Sequence, residues 1–134
     1  KTFEELGVSE EIRRAISEIG SEQPMPVQEE VIPYLLGLVN DVIALARTGT
    51  GKTAAYGLPV LQKVNPDDRR TQAVIRSPTR ELCLQIAGDL KEYSRYIENL
   101  HGLAVYGGCT RDGKHSNHPV GRPGDFCALC HSVE

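Results

Sequence analysis

The stretch ALARTGTGKTAAYGLP, running from Ala44 to Pro59, decides the fold. Within it, Ala46-Arg47-Thr48-Gly49-Thr50-Gly51-Lys52-Thr53 has the spacing of a P-loop, with alanine at the first glycine position. The apolar run Val42 to Ala46 precedes it, and a helical pattern from Lys52 to about Lys63 follows, with Pro59 a potential break in its last turn. Gly49 and Gly51 can adopt backbone angles that other residues avoid, so successive N–H groups can turn inward around a phosphate. The start of the helix adds its positive end. Lys52 would then reach the β- and γ-phosphates of a nucleotide, and Thr53 would hold Mg²⁺. The plain alternative is a Gly/Thr-rich loop that only caps a helix.

Outward from this loop, helical and extended patterns alternate over residues 1–108. Ser9 reads as the cap of a helix that carries Glu10 and Glu11 in its first turn and ends at Gly20. A second helix is expected from about Val27 to Leu38, kinked or broken at Pro33. Asp41–Ala46 reads as a buried strand, Ala73–Ser77 as a second and Leu103–Tyr106 as a third. A long helix from Arg80 to about Glu98 separates the last two, and Asn65 to Arg70 is a polar loop. This order predicts crossover connections and a parallel sheet of an α/β protein.

The chain has 134 residues, 40% hydrophobic and 25% charged, with a formal net charge of -3. That is the balance of one globular domain. It excludes a generic polyanion binder, so any nucleic-acid contact must come from a local patch. No apolar run is long enough to span a membrane, and the charged start KTFEELGVSEEIRR lacks the core of a signal peptide. Four cysteines are too few for a disulfide scaffold, which points to a reduced, intracellular protein; the expected setting is cytoplasmic, with the nucleus an alternative if the source is eukaryotic.

Two further segments carry chemistry. In GSEQPMPVQ, Gly20 to Gln28, the amide of Gln28 can both donate to and accept from an adenine edge. Standing alone it would be a helix-surface glutamine. In SPTRELCLQ, Ser77 to Gln85, Pro78 closes a strand, Thr79 offers a hydroxyl at a helix start and Arg80 adds a planar cation. That is a seat for a nucleic-acid phosphate, or merely a helix N-terminus.

Taken in order, Phe3, GSEQPMPVQ, ARTGTGKT, PTREL and Gly107-Gly108 resemble the opening motifs of the DEAD-box ATP-dependent RNA helicases. The likeness covers residues 1–108, and Phe3 lies seventeen residues before Gly20, where that family carries its upstream aromatic. The resemblance implies part of a RecA-like first domain. It implies that Phe3, Gln28 and Ala46 through Thr53 bind ATP, that Lys52 and Thr53 act on the triphosphate and its Mg²⁺, and that Pro78, Thr79, Arg80, Gly107 and Gly108 touch an RNA backbone without reading sequence. Helicase cofactor proteins are possible partners.

The sequence also departs from that pattern. Ser21 stands where an aromatic is usual, which weakens packing under adenine. Arg76 falls in an apolar strand, where a guanidinium covered on both faces would be costly unless paired. Arg47 replaces an uncharged residue and is expected to be solvent-exposed. After Gly108 no TPGR, DEAD or SAT segment follows, and no second domain. Those carboxylates and the second domain's arginines would drive hydrolysis. The resemblance also implies that the three strands are not mutual neighbours, so the isolated chain is expected to be marginal, aggregating or rearranged. The alternative functions are a non-catalytic fragment that binds nucleotide or RNA and a non-functional truncation product, such as a frameshift would give.

Residues 109–134 read as an irregular tail. His115, His118, Cys127 and Cys130 have zinc-ligand spacing, and Cys127-Ala-Leu-Cys130-His131 matches a haem-attachment pattern. The tail's lack of apolar periodicity favours a flexible, Gly/Pro-punctuated end over either.

Overall fold

A computed structural model describes residues 1–37, 41–49, 51–68, 71–98, 100–105 and 126–132. The first helix, α1, spans Glu10–Ile19 and ends at Gly20, whose φ of 89° lets its N–H and that of Ser21 reach back to Ser17 and Ile16. Ser9 sits at its N-cap, but its hydroxyl makes no capping bond. Its backbone N–H donates instead to Gln62 Oε1 at 2.9 Å, while Gln62 Nε2 donates to Gly7 O at 2.8 Å. This one glutamine therefore ties the N-terminal segment to a later helix.

Helix α2 spans Pro26–Leu36 and runs through Pro33 without a break. Proline at its first position suits a site with no intrahelical N–H partner. Helix α3 spans Lys52–Lys63, and Pro59 does not end it. The ring of Pro59 is fully buried, so packing offsets the missing backbone bond. Helix α4 spans Arg80–Tyr93, shorter than the periodicity suggests. Ser94 stops it, with its hydroxyl donating to Lys91 O at 3.3 Å. Beyond it, Glu18 of α1 accepts hydrogen bonds from Tyr96 and from Arg95 (3.0 Å), and the Arg14 guanidinium lies 4.3 Å from the Tyr96 ring centre. The Tyr96 bond holds the Glu18 carboxyl below its ordinary range.

The sheet departs from expectation. Strands β1 (Thr71–Ser77), β2 (Leu100–Val105) and β3 (Phe126–Ser132) are ordered β1-β3-β2, and β3 is antiparallel to both neighbours. Its register sets Val74 opposite Leu129 on one side and Leu103 opposite Leu129 on the other. The parallel-sheet expectation is thus corrected. So is the irregular tail over 126–132, where the short apolar run Phe126 to Cys130 forms a strand. The two strands anticipated at 73–77 and 103–106 are present, extended to 71–77 and 100–105 among the described residues, and are not neighbours. The segment between them satisfies ladder groups that would otherwise cost about 1–3 kcal/mol each when buried.

The strand expected at Asp41–Ala46 is absent. Ile43 is 92% and Leu45 95% exposed, so this apolar run has no covering layer here. β-branched residues favour a strand only when a neighbouring strand receives their backbone and a core receives their side chains.

One core joins the layers. Phe3, Ile12, Ile16, Ile32, Leu58, Leu61, Ile86 and Leu90 form a single buried cluster, with Ala73 and Ile75 packed against it from β1. Alternation along β1 puts Val74 (59% exposed) and Arg76 on the open side. Arg76 is exposed, and the burial cost expected for it does not arise.

Candidate functional site

Gly49 and Gly51 have φ of 76° and 77°, in the left-handed region that favours glycine. Gly51 is the N-cap of α3, so the loop delivers its backbone directly to a helix start. Lys52 is the first helical residue and is exposed; Thr53 follows, half-buried. Ala46 is half-buried, and Arg47, Thr48 and Gly49 are exposed. Thr50 lies outside the described residues.

Gln28, only 4% exposed, faces this loop from the first turn of α2. Its Oε1 accepts from Met25 N at 3.0 Å and its Nε2 donates to Gly51 O at 3.1 Å. A carboxamide has two acceptor lone pairs and two N–H donors. After these two bonds, one of each is left. Gln28 can therefore keep hold of the loop and still present a donor and an acceptor to a ligand. A Cβ built on Gly51 would lie 2.3 Å from Gln28 Nε2, so the absence of a side chain there is what admits the contact.

A cleft of about 700 Å³ opens beside the loop. Met25, Gln28, Thr48, Gly49, Gly51, Lys52 and Thr53 form one wall, and Arg76, Ser77, Pro78, Gln85 and Asp89 another. Phe3 reaches this cleft from the core, where it is 6% exposed. The sequence reading did not single out Tyr56, Asp89 or Met25. Burial pushes the Tyr56 hydroxyl up, its hydrogen bond with Thr53 opposing this and the nearby Asp89 adding to it. Burial, then Glu92, raises the Asp89 carboxyl. The spacing of Tyr56 and Asp89 on α3 and α4 reads as ordinary helix surface, and only the packing of the two helices reveals their shared cleft.

Pro78 lies on the cleft, Thr79 is the N-cap of α4 and Arg80 its first residue, all three exposed. Thr79 Oγ1 accepts from Leu82 N at 3.2 Å. Replacing Thr79 with alanine is expected to cost about 1 kcal/mol of stability, measured by urea denaturation of the two proteins. Gly107, Gly108, His115 and His118 lie outside the described residues. Cys127 and Cys130 fall in β3, opposite Arg76 and Ala73 of β1. Among the described residues no group of three or more His, Cys, Asp or Glu is placed to hold a metal ion.

Comparison with known proteins gives consistent findings. The family model described as DEAD/DEAH box helicase matches residues 25–129. The ATP-dependent RNA helicase DeaD of Escherichia coli (strain K12) is 41% identical over 107 residues, covering 80% of this chain and 17% of that protein. The DEAD-box ATP-dependent RNA helicase CshA of Geobacillus kaustophilus is 42% identical over 130 residues, 92% of this chain and 27% of that protein. Among solved structures, S. cerevisiae Dbp5 bound to RNA and ADP BeF3 superposes with a TM-score of 0.71 at 36% identity, over 74% of this chain and 26% of that one. A DEAD box protein from Methanococcus jannaschii gives a TM-score of 0.66 at 39% identity, over 69% of this chain and 25% of that one. The chain therefore spans roughly a sixth to a quarter of the length of these relatives.

Proposed function

Because this chain belongs to the DEAD/DEAH box helicase family, we propose that it is the N-terminal part of a helicase RecA-like domain and that it binds ATP and an RNA backbone. The observation that carries this is the left-handed backbone of Gly49 and of Gly51, the latter at the head of α3 with the Gln28 amide bonded to it. The relatives support it: one S. cerevisiae Dbp5 structure holds RNA and ADP BeF3.

The residues present fit a nucleotide. Gly49 and Gly51, both in left-handed conformation, bring no side chain of their own to the loop. The amides of Gly49, Gly51, Lys52 and Thr53 supply donors, and the Lys52 ammonium supplies a mobile positive charge at the triphosphate. Gln28 offers its remaining donor and acceptor to adenine. Phe3 closes the base end of the cleft from the core. Thr53 is the residue to hold Mg²⁺, and it must share or release its bond with Tyr56 to do so. Mg²⁺ held there would supply neutralisation of the triphosphate's negative charge. Ala46, Arg47 and Thr50 complete the loop by their place in the motif.

RNA contact is assigned to Pro78, Thr79 and Arg80, with Gly107 and Gly108 by resemblance. The α4 N-terminus and the Arg80 guanidinium suit a phosphate and read no base. Gle1 and Nup159 appear with Dbp5 in related structures, and helicase cofactor proteins are proposed as partners here. Among the described residues no helix is long and apolar enough to cross a membrane, and a cytoplasmic setting is proposed.

Titration with a fluorescent ATP analogue tests the reading. Lys52→Ala is expected to weaken binding about 10- to 100-fold, the value of one charge-assisted contact. Equal binding by both proteins would refute it.

A further inference from the structure

We propose that the run at 41–47 is a self-complementary edge through which two copies of this chain pair as an antiparallel dimer. The inference goes beyond nucleotide binding and does not depend on it.

The run reads Asp41-Val42-Ile43-Ala44-Leu45-Ala46-Arg47, apolar throughout between one acid and one base. Ile43 is 92% and Leu45 95% exposed, and Asp41, Val42, Ala44 and Arg47 are exposed as well. Residues 42–46 make no hydrogen bond to any other described residue. Bare backbone amides beside bare apolar side chains are the makings of a sheet edge, which pairs with a strand that matches it.

The run matches itself. Antiparallel pairing centred on Ala44 sets Ala44 opposite Ala44 of the second copy, Ile43 opposite Leu45, Val42 opposite Ala46 and Asp41 opposite Arg47. The two-fold axis makes each of the last three pairs twice. Because side chains alternate, Asp41, Ile43, Leu45 and Arg47 share one face of the paired strands. Two Ile–Leu pairs form an apolar cluster there, and an Asp–Arg pair closes each end. Parallel pairing in register would set Asp41 against Asp41 and Arg47 against Arg47, which like charge opposes. A one-residue slip loses both ion pairs.

The surroundings select the edge. In a strand, the N–H and C=O of alternate residues face opposite edges. Asp41 O already accepts from Tyr34 Oη at 3.4 Å. The edge of Asp41, Ile43 and Leu45 is therefore closed at its start, and the edge of Val42, Ala44 and Ala46 is open. Helix α2 backs the run on one face, where Val27, Val31 and Tyr34 line a hollow of about 330 Å³ with it. One open edge favours a closed pair over an open stack.

Sedimentation equilibrium of the full chain at about 1–200 µM tests this. The unaltered chain should pass from monomer to dimer in that range and stop there. Asp41→Arg alone and Arg47→Asp alone each put like charges at both ends, and each should weaken the dimer at least about tenfold. Mixing the two variants should restore a dimer holding one copy of each, because every acid then faces a base again. Restored association also shows that both variants fold. Ala44→Pro removes the N–H donor at the axis and should stay monomeric throughout. The proposal is overturned if the unaltered chain remains a monomer, which hands the run to a different partner, or if it grows beyond a dimer, which is unselective edge pairing. It is equally overturned if Ala44→Pro dimerises as before, or if the mixed charge variants associate no more tightly than either alone.

Discussion

Gly51→Ala is expected to lower ATP affinity about 100-fold, equivalent to about 2.7 kcal/mol. Gly51 has φ of 77°, which costs a residue with a Cβ about 1–2 kcal/mol. The added methyl would stand 2.3 Å from Gln28 Nε2 and 3.2 Å from its Cδ. Gln28 has little room to retreat, since it is 4% exposed and bonded at both ends of its amide. The clash therefore breaks the bond that couples adenine recognition to the phosphate loop. Gly49→Ala is the control. Its φ of 76° is nearly the same, but a Cβ there meets nothing within 4 Å. It should carry only the backbone strain, roughly a tenfold loss. Isothermal titration calorimetry on both variants reads the difference. Equal losses would mean that the Gln28 contact is idle.

Leu58→Ala is the second large effect. Leu58 has no exposed surface and sits where α3 meets the core cluster that includes Ile86 and Leu90 of α4. Truncation removes transfer energy and leaves a cavity, costing about 2–5 kcal/mol. Domains of this kind are stable by only about 5–15 kcal/mol. A loss of that size removes much of the margin, more so because Ile43 and Leu45 contribute nothing to the core in this structure. Urea denaturation should show the midpoint falling sharply. An unchanged midpoint would mean that the α3–α4 contact is not what holds the domain.

The helices were legible because their signals are local. The stripe Ile12, Ala15 and Ile16, the Gly20 stop and the Pro26 start are short-range patterns, and α1 and α2 follow them closely. The phosphate loop was legible for the same reason, since glycine spacing alone implies the backbone that Gly49 and Gly51 adopt. The sheet was not. Asp41–Ala46 has strand composition, but a strand needs a partner, and partners are set by the whole chain rather than by composition. The pairing of Phe126–Ser132 between β1 and β2 was hidden because its cysteines suggested ligands and its neighbours suggested a loop. Within the site, Gln28 and the loop were found as separate motifs. The bond between them and the placing of Met25 beside Gly51 depend on how α2 and α3 pack, whereas the contact of Tyr56 with Thr53 is local to α3.

The measurement closest to the central claim is an amide NMR titration of the ¹⁵N-labelled chain with Mg·ATP. The resonances of Gly49, Gly51, Lys52 and Thr53 should move first and together, saturating in the same concentration range, with the Gln28 side-chain amide following them. If a folded sample at millimolar ATP leaves those four amides unmoved, or moves others in their place, the phosphate does not sit at the head of α3 and the account is wrong.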